Sequence, residues 1–409
     1  MSRVLLVTTN YWPEPTGIAV YMTDLAEMLK GDGFEVSVLT SLPHYPWWKT
    51  PSEFEHLTEG VAQHEFVEVI RAKHLIPPKM NALVRIRFEI SLWWNLRRVS
   101  KRLVDNHIDA VIACIPTVAA GIVGKRNAKK LSVPFGLIVQ DLSGAGAKQS
   151  GLKGGALISK IALAIEASVL KSADAMVVVS PAMREVILGL GIEATLVTQI
   201  MNYSARNIKN INRDSARANL GWTSDDFVVI HTGNMGAKQN LENVVESAKL
   251  LGRAVNIKIY LVGHGNQEVK LKGLCESIEN IDVLPAVADD QYSALLSAAD
   301  LLLVNERSTQ LEMSLPSKLT SYLLSGRPVI AAVPKNGATW NFLEGIAELV
   351  EAGKPSLLAK AIRELSQDPE KRIDLASKGL GYARINLGAE FGRRQYLDWV
   401  NSLIQSNHG

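Results

Sequence analysis

The sequence has few cysteines and no long uncharged apolar run, and each shortage disfavours a class of protein. Only two of its 409 residues are cysteines, Cys114 and Cys275, which lie far apart and lack metal-ligand spacing. A secreted disulfide framework is therefore disfavoured, and a reducing compartment such as the cytoplasm fits. No stretch of about 18 or more uncharged apolar residues occurs, so no membrane-spanning helix is predicted. The apolar residues 1–8 are too short for a secretory signal and are predicted to form a buried strand.

Net charge is also small, but it is unevenly distributed. The whole chain carries a formal charge of +3, yet residues 71–130 contain thirteen Lys or Arg against three acids. This local excess predicts an anionic surface or substrate near the first half of the chain. Nucleic acid is not predicted as a partner, because no recognised binding module accompanies the basic residues.

Length and periodicity predict two α/β domains. A chain of this length exceeds one ordinary core, and its hydrophobic fraction of 47% is that of a globular protein. Each half begins with a continuous apolar run, typical of a parallel strand buried on both faces. The predicted strands are 4–7, 36–39, 110–114, 136–139, 175–179, 227–230, 257–262, 301–304 and 329–333, and the predicted helices are 20–29, 158–170, 241–251 and 391–404. This alternation predicts a doubly wound parallel sheet in each half.

Residues 315–330 contain the strongest candidate phosphate site. Ser317 is predicted to cap a short helix that Gly326 ends, and Pro328 prevents its continuation into the next strand. The amides at the helix start suit a diphosphate, and Lys318 adds a mobile full charge there. The alternative is an ordinary capped connection between a helix and a strand.

Two glycine turns follow predicted strands of the second half. Gly233, Asn234 and Lys238 follow the first strand, where glycine lets the backbone approach a ligand and the lysine could stabilise a leaving diphosphate. Gly263 and Gly265 follow the second strand. A surface lysine after an ordinary glycine turn is the alternative interpretation. Neither half contains the full G-x-G-x-x-G fingerprint, so a nicotinamide dehydrogenase is disfavoured.

The order and spacing of several short motifs resemble the retaining glycosyltransferases of family four, which have the GT-B fold, and especially the bacterial exopolysaccharide and colanic-acid type. The resemblance covers nearly the whole chain. The matching segments are 11–17, 25–29, 33–36, 42–46, 140–142, 172–180, 233–239, 262–265, 315–318 and 325–329.

The resemblance implies two Rossmann-like domains that face a central cleft. Residues 1–205 would bind the acceptor, residues 206–387 would bind the donor, and a last helix at about 388–409 would pack back on the first domain. The implied activity is metal-independent hexosyl transfer from a UDP- or GDP-linked sugar to a glycan or polyprenyl-diphosphate acceptor. It implies no other cofactor and a role in capsule or exopolysaccharide synthesis.

The resemblance also implies roles for individual residues. Lys238, Asp141, His44 and Glu312 are the catalytic candidates. The donor would contact further residues, namely Gly17, Gly233, Asn234, Gly263, Gly265, Pro316, Ser317, Lys318, Leu319 and Ser321. Many family members carry two glutamates eight positions apart, which would fall here at Met313 and Ser321. Glu312, one residue from the first position, is the candidate for the sugar contact, and Glu306 lies in the preceding loop. For His44, a rigid loop is the alternative to a catalytic role, and for Asp141 a helix cap is the alternative.

Residues 79–102 mix arginines with Trp93, Trp94 and aliphatic side chains. They predict an interfacial helix on the inner face of the plasma membrane, with a core helix as the alternative. Two other functions also remain open for the chain. It could be a sugar-nucleotide epimerase or hydrolase of the same fold, or a non-catalytic sugar-nucleotide-binding subunit, because Ser321 stands where a glutamate is expected.

Overall fold

A computed structural model describes most of the chain in two compact units. The described residues are 2–15, 17–77, 82–103, 107–142, 156–203, 208–209, 211–223, 225–252, 256–309 and 315–406. Unit 1 comprises Met1–Met201 with Gly392–Gly409, and unit 2 comprises Asn202–Phe391. Glu312 and Met313 lie outside the described residues.

Unit 1 contains an eight-stranded sheet in the order β3-β4-β2-β1-β5-β6-β7-β8. Its strands are β1 (Arg3–Val7), β2 (Glu35–Ser41), β3 (Gly60–His64), β4 (Val67–Ala72), β5 (Ala110–Ile115), β6 (Phe135–Val139), β7 (Ala175–Val178) and β8 (Val197–Gln199). In the centre, Val4 pairs with Val36 on one side and Ala110 on the other, and all three are buried. The continuous apolar runs thus belong to parallel strands covered on both faces.

Strand β3 differs from the predicted parallel sheet, because it pairs antiparallel with β4 at the edge. Its sequence has no continuous apolar run, and Val61 is exposed. A short edge strand buries little, so periodicity alone did not reveal it.

The helices of unit 1 separate its parallel strands. They are α1 (Ile18–Gly31), α2 (Ala82–Val99), α3 (Val118–Leu131), α4 (Ala156–Leu170), α5 (Pro181–Gly189) and α14 (Ala389–Gln405). Ala19, Met22, Leu25 and Leu29 recur every three or four residues of α1, and all four are buried. This spacing forms one apolar stripe, which is why the segment is helical.

Helix α14 closes unit 1 from the far end of the chain. A Cβ atom on Gly136 of β6 would lie 2.7 Å from Leu403 and 2.9 Å from Trp399. Asp24 of α1 also forms an ion pair with Arg393. The glycine therefore gives α14 the room to lie directly on the sheet.

Unit 2 contains a six-stranded parallel sheet in the order β11-β10-β9-β12-β13-β14. Its strands are β9 (Phe227–Thr232), β10 (Ile257–Val262), β11 (Ile281–Leu284), β12 (Leu301–Asn305), β13 (Val329–Val333) and β14 (Glu348–Glu351). Its helices are α6 (Arg213–Leu220), α7 (Glu242–Leu251), α8 (Glu268–Cys275), α9 (Asp289–Ala298), α10 (Lys318–Leu324), α11 (Ala338–Leu343), α12 (Pro355–Gln367) and α13 (Pro369–Asn386). Val244 and Val245 of α7 join Leu358 and Ile362 of α12 in its buried core. Within the described ranges, no helix is long and apolar enough to cross a membrane.

Candidate functional site

Apart from Gly17, which belongs to unit 1, the described residues predicted to bind the donor lie at the carboxyl edge of the unit 2 sheet. Three turns leave the adjacent strands β10, β9 and β12 at this edge. Open α/β sheets bind their ligands here, because the loops diverge where neighbouring strands end.

Gly263 and Gly265 let the turns after β9 and β10 touch backbone to backbone. A Cβ on Gly263 would lie 1.9 Å from the Gly233 carbonyl oxygen, and one on Gly265 would lie 2.4 Å from the Met235 carbonyl oxygen. The Met235 amide also donates to the His264 carbonyl at 2.8 Å. The contact between the turns therefore explains both glycines, and their predicted donor contact stays a prediction.

The turn after β9 exposes its polar residues. Gly233 has φ +103, a conformation that glycine tolerates, and Gly233, Asn234 and Lys238 are exposed. The carbonyl of Lys238 accepts from the Arg307 amide at 2.9 Å. The Asn305 side-chain amide donates to the Gln239 carbonyl at 2.7 Å. The turn is thus anchored to the end of β12 while the Lys238 side chain faces solvent.

Beneath this turn, Lys318 contacts a buried histidine. The Lys318 amine lies 2.9 Å from His231 Nε2, and His231 Nδ1 lies 3.0 Å from the Leu303 carbonyl oxygen. A carbonyl can only accept, so Nδ1 carries the proton and Nε2 accepts from Lys318. A Cβ on Gly233 would lie 3.8 Å from the lysine nitrogen. The amine is therefore held immediately beneath the exposed turn.

The charge on Lys318 is weakened by its surroundings. Burial lowers its pKa to about 7, although Glu306 favours the charged form. Burial, reinforced by Lys318, lowers the pKa of His231 well below its usual value, so the histidine stays neutral. The predicted mobility of the Lys318 charge is therefore wrong, because a hydrogen bond to His231 fixes the amine, while burial opposes its protonation.

The cap predicted at Ser317 is also wrong. Ser317 has helical backbone angles, and its side chain makes no cap hydrogen bond. The helix α10 has only 7 residues, and the Leu319 amide already donates to the Pro316 carbonyl at 3.0 Å. The start of this helix thus offers a ligand fewer amides than its sequence suggested.

Ser321 and Glu306 lie in the same part of unit 2. Ser321 is buried on α10, at the position where the resemblance implied a glutamate. Glu306 follows β12, and its carboxylate accepts from the Thr339 hydroxyl at 2.8 Å. Among the described residues, Glu306 is therefore the carboxylate that raises the pKa of Lys318. Glu312 lies outside the described residues.

In unit 1, a buried glutamate joins the first loop to the loop after β2. One carboxylate oxygen of Glu14 accepts from the backbone amides of His44 and Tyr45, at 2.7 and 2.8 Å. Asn10 donates to the other oxygen at 2.6 Å. Burial raises the pKa of Glu14, and these hydrogen bonds partly oppose that shift. A Cβ on Gly17 would lie 3.5 Å from the Tyr45 ring, so this glycine belongs to the same loop contact.

His44 is deeply buried, with only 2% of its surface exposed. Its Nδ1 lies 3.2 Å from the Leu42 carbonyl oxygen, and its ring lies 4.5 Å from the ring of His74. Burial lowers the pKa of His44 to about 4, and burial with the neighbouring His44 lowers that of His74 to about 3. A neutral imidazole with so low a pKa is a weak base near pH 7.

Asp141 lies two residues beyond the end of β6 and is exposed. Its carboxylate accepts from the Leu142 amide at 2.8 Å. The residues that follow, 143–155, lie outside the described part, so the alternative of a helix cap stays open. The structure therefore places Asp141 at the carboxyl edge of the unit 1 sheet, and its contact with the acceptor stays a prediction.

The sequence did not single out His231, His74 or Arg71. Arg71 is buried, and its guanidinium donates to the carbonyl of Trp12 in the first loop at 2.7 Å. His231 directly follows the predicted strand 227–230, but a buried histidine is usually structural. Its pairing with a lysine 87 positions away appears only when α10 lies beside β9. In the described ranges, no group of three or more His, Cys, Asp or Glu side chains could hold a metal ion.

Comparisons with known proteins agree with this architecture. Residues 16–202 match the glycosyl transferase 4-like domain, and residues 212–380 match the glycosyl transferases group 1 domain. An Escherichia coli (strain K12) chain, assigned to colanic acid biosynthesis as glycosyl transferase WcaI, is 28% identical and spans 97% of this chain and 99% of its own.

Solved structures share the fold at low sequence identity. Sucrose-phosphate synthase from Thermosynechococcus elongatus superposes with a TM-score of 0.76 at 18% identity, covering 99% of this chain and 100% of its own. The Anabaena protein HepE, solved in complex with UDP-glucose, gives 0.70 at 19% identity, covering 98% of this chain and 100% of its own. Both α/β units match glycosyltransferase family models, and the relative from the colanic acid pathway matches over its whole length. The chain therefore belongs to the family-four glycosyltransferases of GT-B fold and exopolysaccharide type.

Proposed function

We propose that the chain transfers a hexosyl group from a UDP- or GDP-linked sugar, with retention of configuration and without a metal ion. The observation that carries this proposal is the turn after β9, where Lys238 is exposed and the Lys318 amine lies beneath Gly233. Two lysines at the carboxyl edge of a parallel sheet suit a diphosphate. The likeness to a fold that holds UDP-glucose in HepE supports the same choice of donor.

The proposed reaction breaks the bond between the sugar C1 and the diphosphate oxygen and forms a bond from C1 to an acceptor hydroxyl. The hydroxyl proton passes to a donor phosphate oxygen, so no enzymatic nucleophile is required. Negative charge grows on the departing nucleoside diphosphate, and Lys238 with Lys318 would stabilise it. The backbone at Gly233 and the residues 316–321 would contact the donor.

The proposed acceptor is a glycan or a polyprenyl-diphosphate-linked sugar in bacterial surface polysaccharide synthesis. Asp141 is the better candidate for contact with its hydroxyl, because this carboxylate is exposed. His44 would act indirectly, since it is buried and its Nδ1 lies close to the Leu42 carbonyl oxygen. Its backbone amide fixes the loop through Glu14.

A lipid-linked acceptor would bring the enzyme to the inner face of the plasma membrane, and α2 is the proposed contact. Leu83, Ile90 and Trp94 expose 67, 57 and 59% of their surfaces along one face of this helix. Arg87 is exposed among them, which complements anionic lipid.

Vesicle flotation tests this contact. The Ile90→Glu and Trp94→Glu variants should lose binding to vesicles that contain phosphatidylglycerol, because a carboxylate opposes both burial and the anionic surface. Ile373→Glu is the matched control, since Ile373 is 70% exposed on α13 of the other unit. Equal binding by all variants would remove α2 from the proposal.

Thermal shift with UDP-, GDP- and dTDP-sugars tests the choice of sugar nucleotide, because a ligand that binds the folded state raises the melting temperature of the protein.

The Lys238→Ala variant should lose at least about a hundredfold in turnover, the usual loss when one hydrogen-bond donor to a developing negative charge is removed. Lys360→Ala, a similarly exposed lysine on α12, should keep full activity.

The turnover assay also distinguishes the proposed transferase from the other two functions. Epimerisation or hydrolysis of the donor without acceptor would overturn the transferase proposal in favour of an epimerase or hydrolase. Donor binding with no turnover on any lipid or glycan acceptor would indicate a non-catalytic subunit. Unchanged product formation by Lys238→Ala would remove that residue from the mechanism.

A further inference from the structure

The pair formed by His231 and Lys318 has features that an ordinary core contact lacks. His231 is fully buried at the carboxyl end of β9, whereas Lys318 begins α10 and is only partly buried as a residue. The lysine side chain reaches inward to the imidazole instead of extending into solvent. Placing an amine there is unfavourable unless a partner holds it, because burial opposes its charge.

The hydrogen bonds of His231 fix its role in the pair. The Leu303 carbonyl accepts from Nδ1–H, which leaves the lone pair of Nε2 as an acceptor aimed at the lysine. A protonated imidazole would place an N–H against the amine and break this contact. The structure therefore requires a neutral histidine and a lysine that donates to it.

The position of the amine connects the pair to the surface. Gly233, whose φ is +103, is exposed, and an added Cβ there would lie only 3.8 Å from the Lys318 nitrogen. An ammonium group has three N–H bonds, and only one points to His231. The other two are available to an anion that settles on the turn.

We propose that His231 is a positioning residue that holds the Lys318 amine beneath Gly233, where the amine contacts the diphosphate of the sugar donor. This inference rests on the proposed function, since it assigns a second-layer role at the same donor site. Without the histidine, the Lys318 side chain would be free to turn away. Binding of a sugar nucleotide would then have to order this side chain, at an entropic cost.

Two substitutions separate the two hydrogen bonds of His231. His231→Asn retains an amide that can reach the Leu303 carbonyl but ends short of Lys318. His231→Gln extends to the position of Nε2 and offers the lysine a carbonyl oxygen, while it gives up the contact with Leu303. UDP-glucose and GDP-mannose are the probes, measured by isothermal titration calorimetry on the full-length protein.

His231→Asn should weaken binding of the preferred probe about tenfold, the cost of one lost charge-assisted hydrogen bond, whereas His231→Gln should bind within about threefold of the original chain. In a Lys318→Met background, His231→Asn should cause no further loss, because the partner is already gone. Equal losses in the Asn and Gln variants, or a full further loss in the Lys318→Met background, would overturn the inference.

The pH profile of donor binding tests the Lys318 amine, on which the role of His231 depends. The pKa of Lys318 is about 7, and Glu306 and His231 are the described charged or titratable groups that face it. Affinity for UDP-glucose should therefore fall as pH rises from about 7 to 9, since the diphosphate of this probe does not titrate there. The Lys318→Met variant should show a flat profile. A profile that keeps the same slope in both proteins contradicts the role of Lys318, and hence that of His231.

The outcomes also separate this inference from the proposed function. If none of the nucleotide sugars binds the unaltered chain, the proposed donor site and the inference fail together. If UDP-glucose or GDP-mannose binds and the Asn variant binds it equally well, only the role of His231 fails. Melting temperatures of the variants show whether any loss reflects unfolding instead.

Discussion

At the scale of single residues, the carboxyl edge of the unit 2 sheet depends on missing side chains as much as on present ones. Gly263 has φ +151, and its Cβ position overlaps the Gly233 carbonyl. The two turns can therefore touch only because the turn after β10 carries glycine at both contacts, Gly263 and Gly265. Lys238, exposed on the turn after β9, and the Lys318 amine near Gly233 then lie at the same edge of the sheet.

Gly263→Ala should destabilise unit 2 by about 3 kcal/mol, because backbone must move to admit the methyl group. Gly273→Ala on α8 is the matched control, since nothing lies within 4 Å of its added methyl group. The control should stabilise the chain by about 0.5–1 kcal/mol. Urea unfolding measures both changes, and similar values for the two variants would show that the turn contact is unimportant.

The buried histidines of unit 1 predict a loss of stability in acid. Burial holds the pKa of His44 at about 4 and that of His74 at about 3, below the usual value near 6.5. Between these values the unfolded chain binds more protons than the folded chain, so the free energy of unfolding rises with pH up to about 6.5. Each such proton contributes a slope of about 1.4 kcal/mol per pH unit.

Replacing His74 with Leu should reduce that slope between pH 4.5 and 6, because one proton difference disappears. Urea unfolding at several pH values gives the slope directly. An identical slope in the original chain and the variant would show that His74 does not titrate in this way.

At the scale of elements, α14 completes unit 1 although about 190 residues of unit 2 separate it from the rest of that unit. Trp399 and Leu403 are buried against β6, where Gly136 leaves space for them. Such a contact between distant parts of the chain makes the stability of unit 1 depend on the last helix.

Trp399→Ala should therefore cost unit 1 about 3–5 kcal/mol, the usual loss for a large buried aromatic side chain. Arg394→Ala, an exposed change on the same helix, should cost less than about 0.5 kcal/mol. Protection of the β6 amides from hydrogen exchange reports the loss in unit 1. Unchanged protection in Trp399→Ala would contradict the role given to α14.

At the scale of the whole molecule, each unit has its own sheet and its own buried residues. The core of unit 2 is built from residues of that unit alone, among them Val229, Leu261 and Leu303. A domain with its own core can fold by itself. The chain is therefore two folding units joined by covalent connections at two points, before Asn202 and after Phe391.

The isolated segment Asn202–Phe391 should fold alone and unfold cooperatively in urea. If the proposed donor site is correct, UDP-glucose or GDP-mannose should raise its melting temperature as it does that of the whole chain. Cooperative unfolding without a shift would limit the fault to the donor site, whereas no cooperative transition would contradict the independence of unit 2.

The sequence by itself determined the parallel strands at the centre of both sheets, because runs such as residues 4–7 and 301–304 are apolar on both faces and suit buried strands alone. It also located the turns with Gly233 and Lys238, since glycine after a strand marks a tight turn. It did not predict β3, β4, β8, β11 or β14. The short edge strand β3 leaves no periodic signal.

Only the tertiary structure decided how the candidate site is built. The contact of Lys318 with His231, the hydrogen bonds of Glu14 to the loop after β2, and the room that Gly136 leaves for α14 all join residues far apart in sequence. A pKa likewise follows from burial and neighbouring charges, which the sequence does not contain. Lys318 looked like a charged surface lysine in the sequence, and the packing of α10 beside β9 made it a buried amine with a pKa near neutrality.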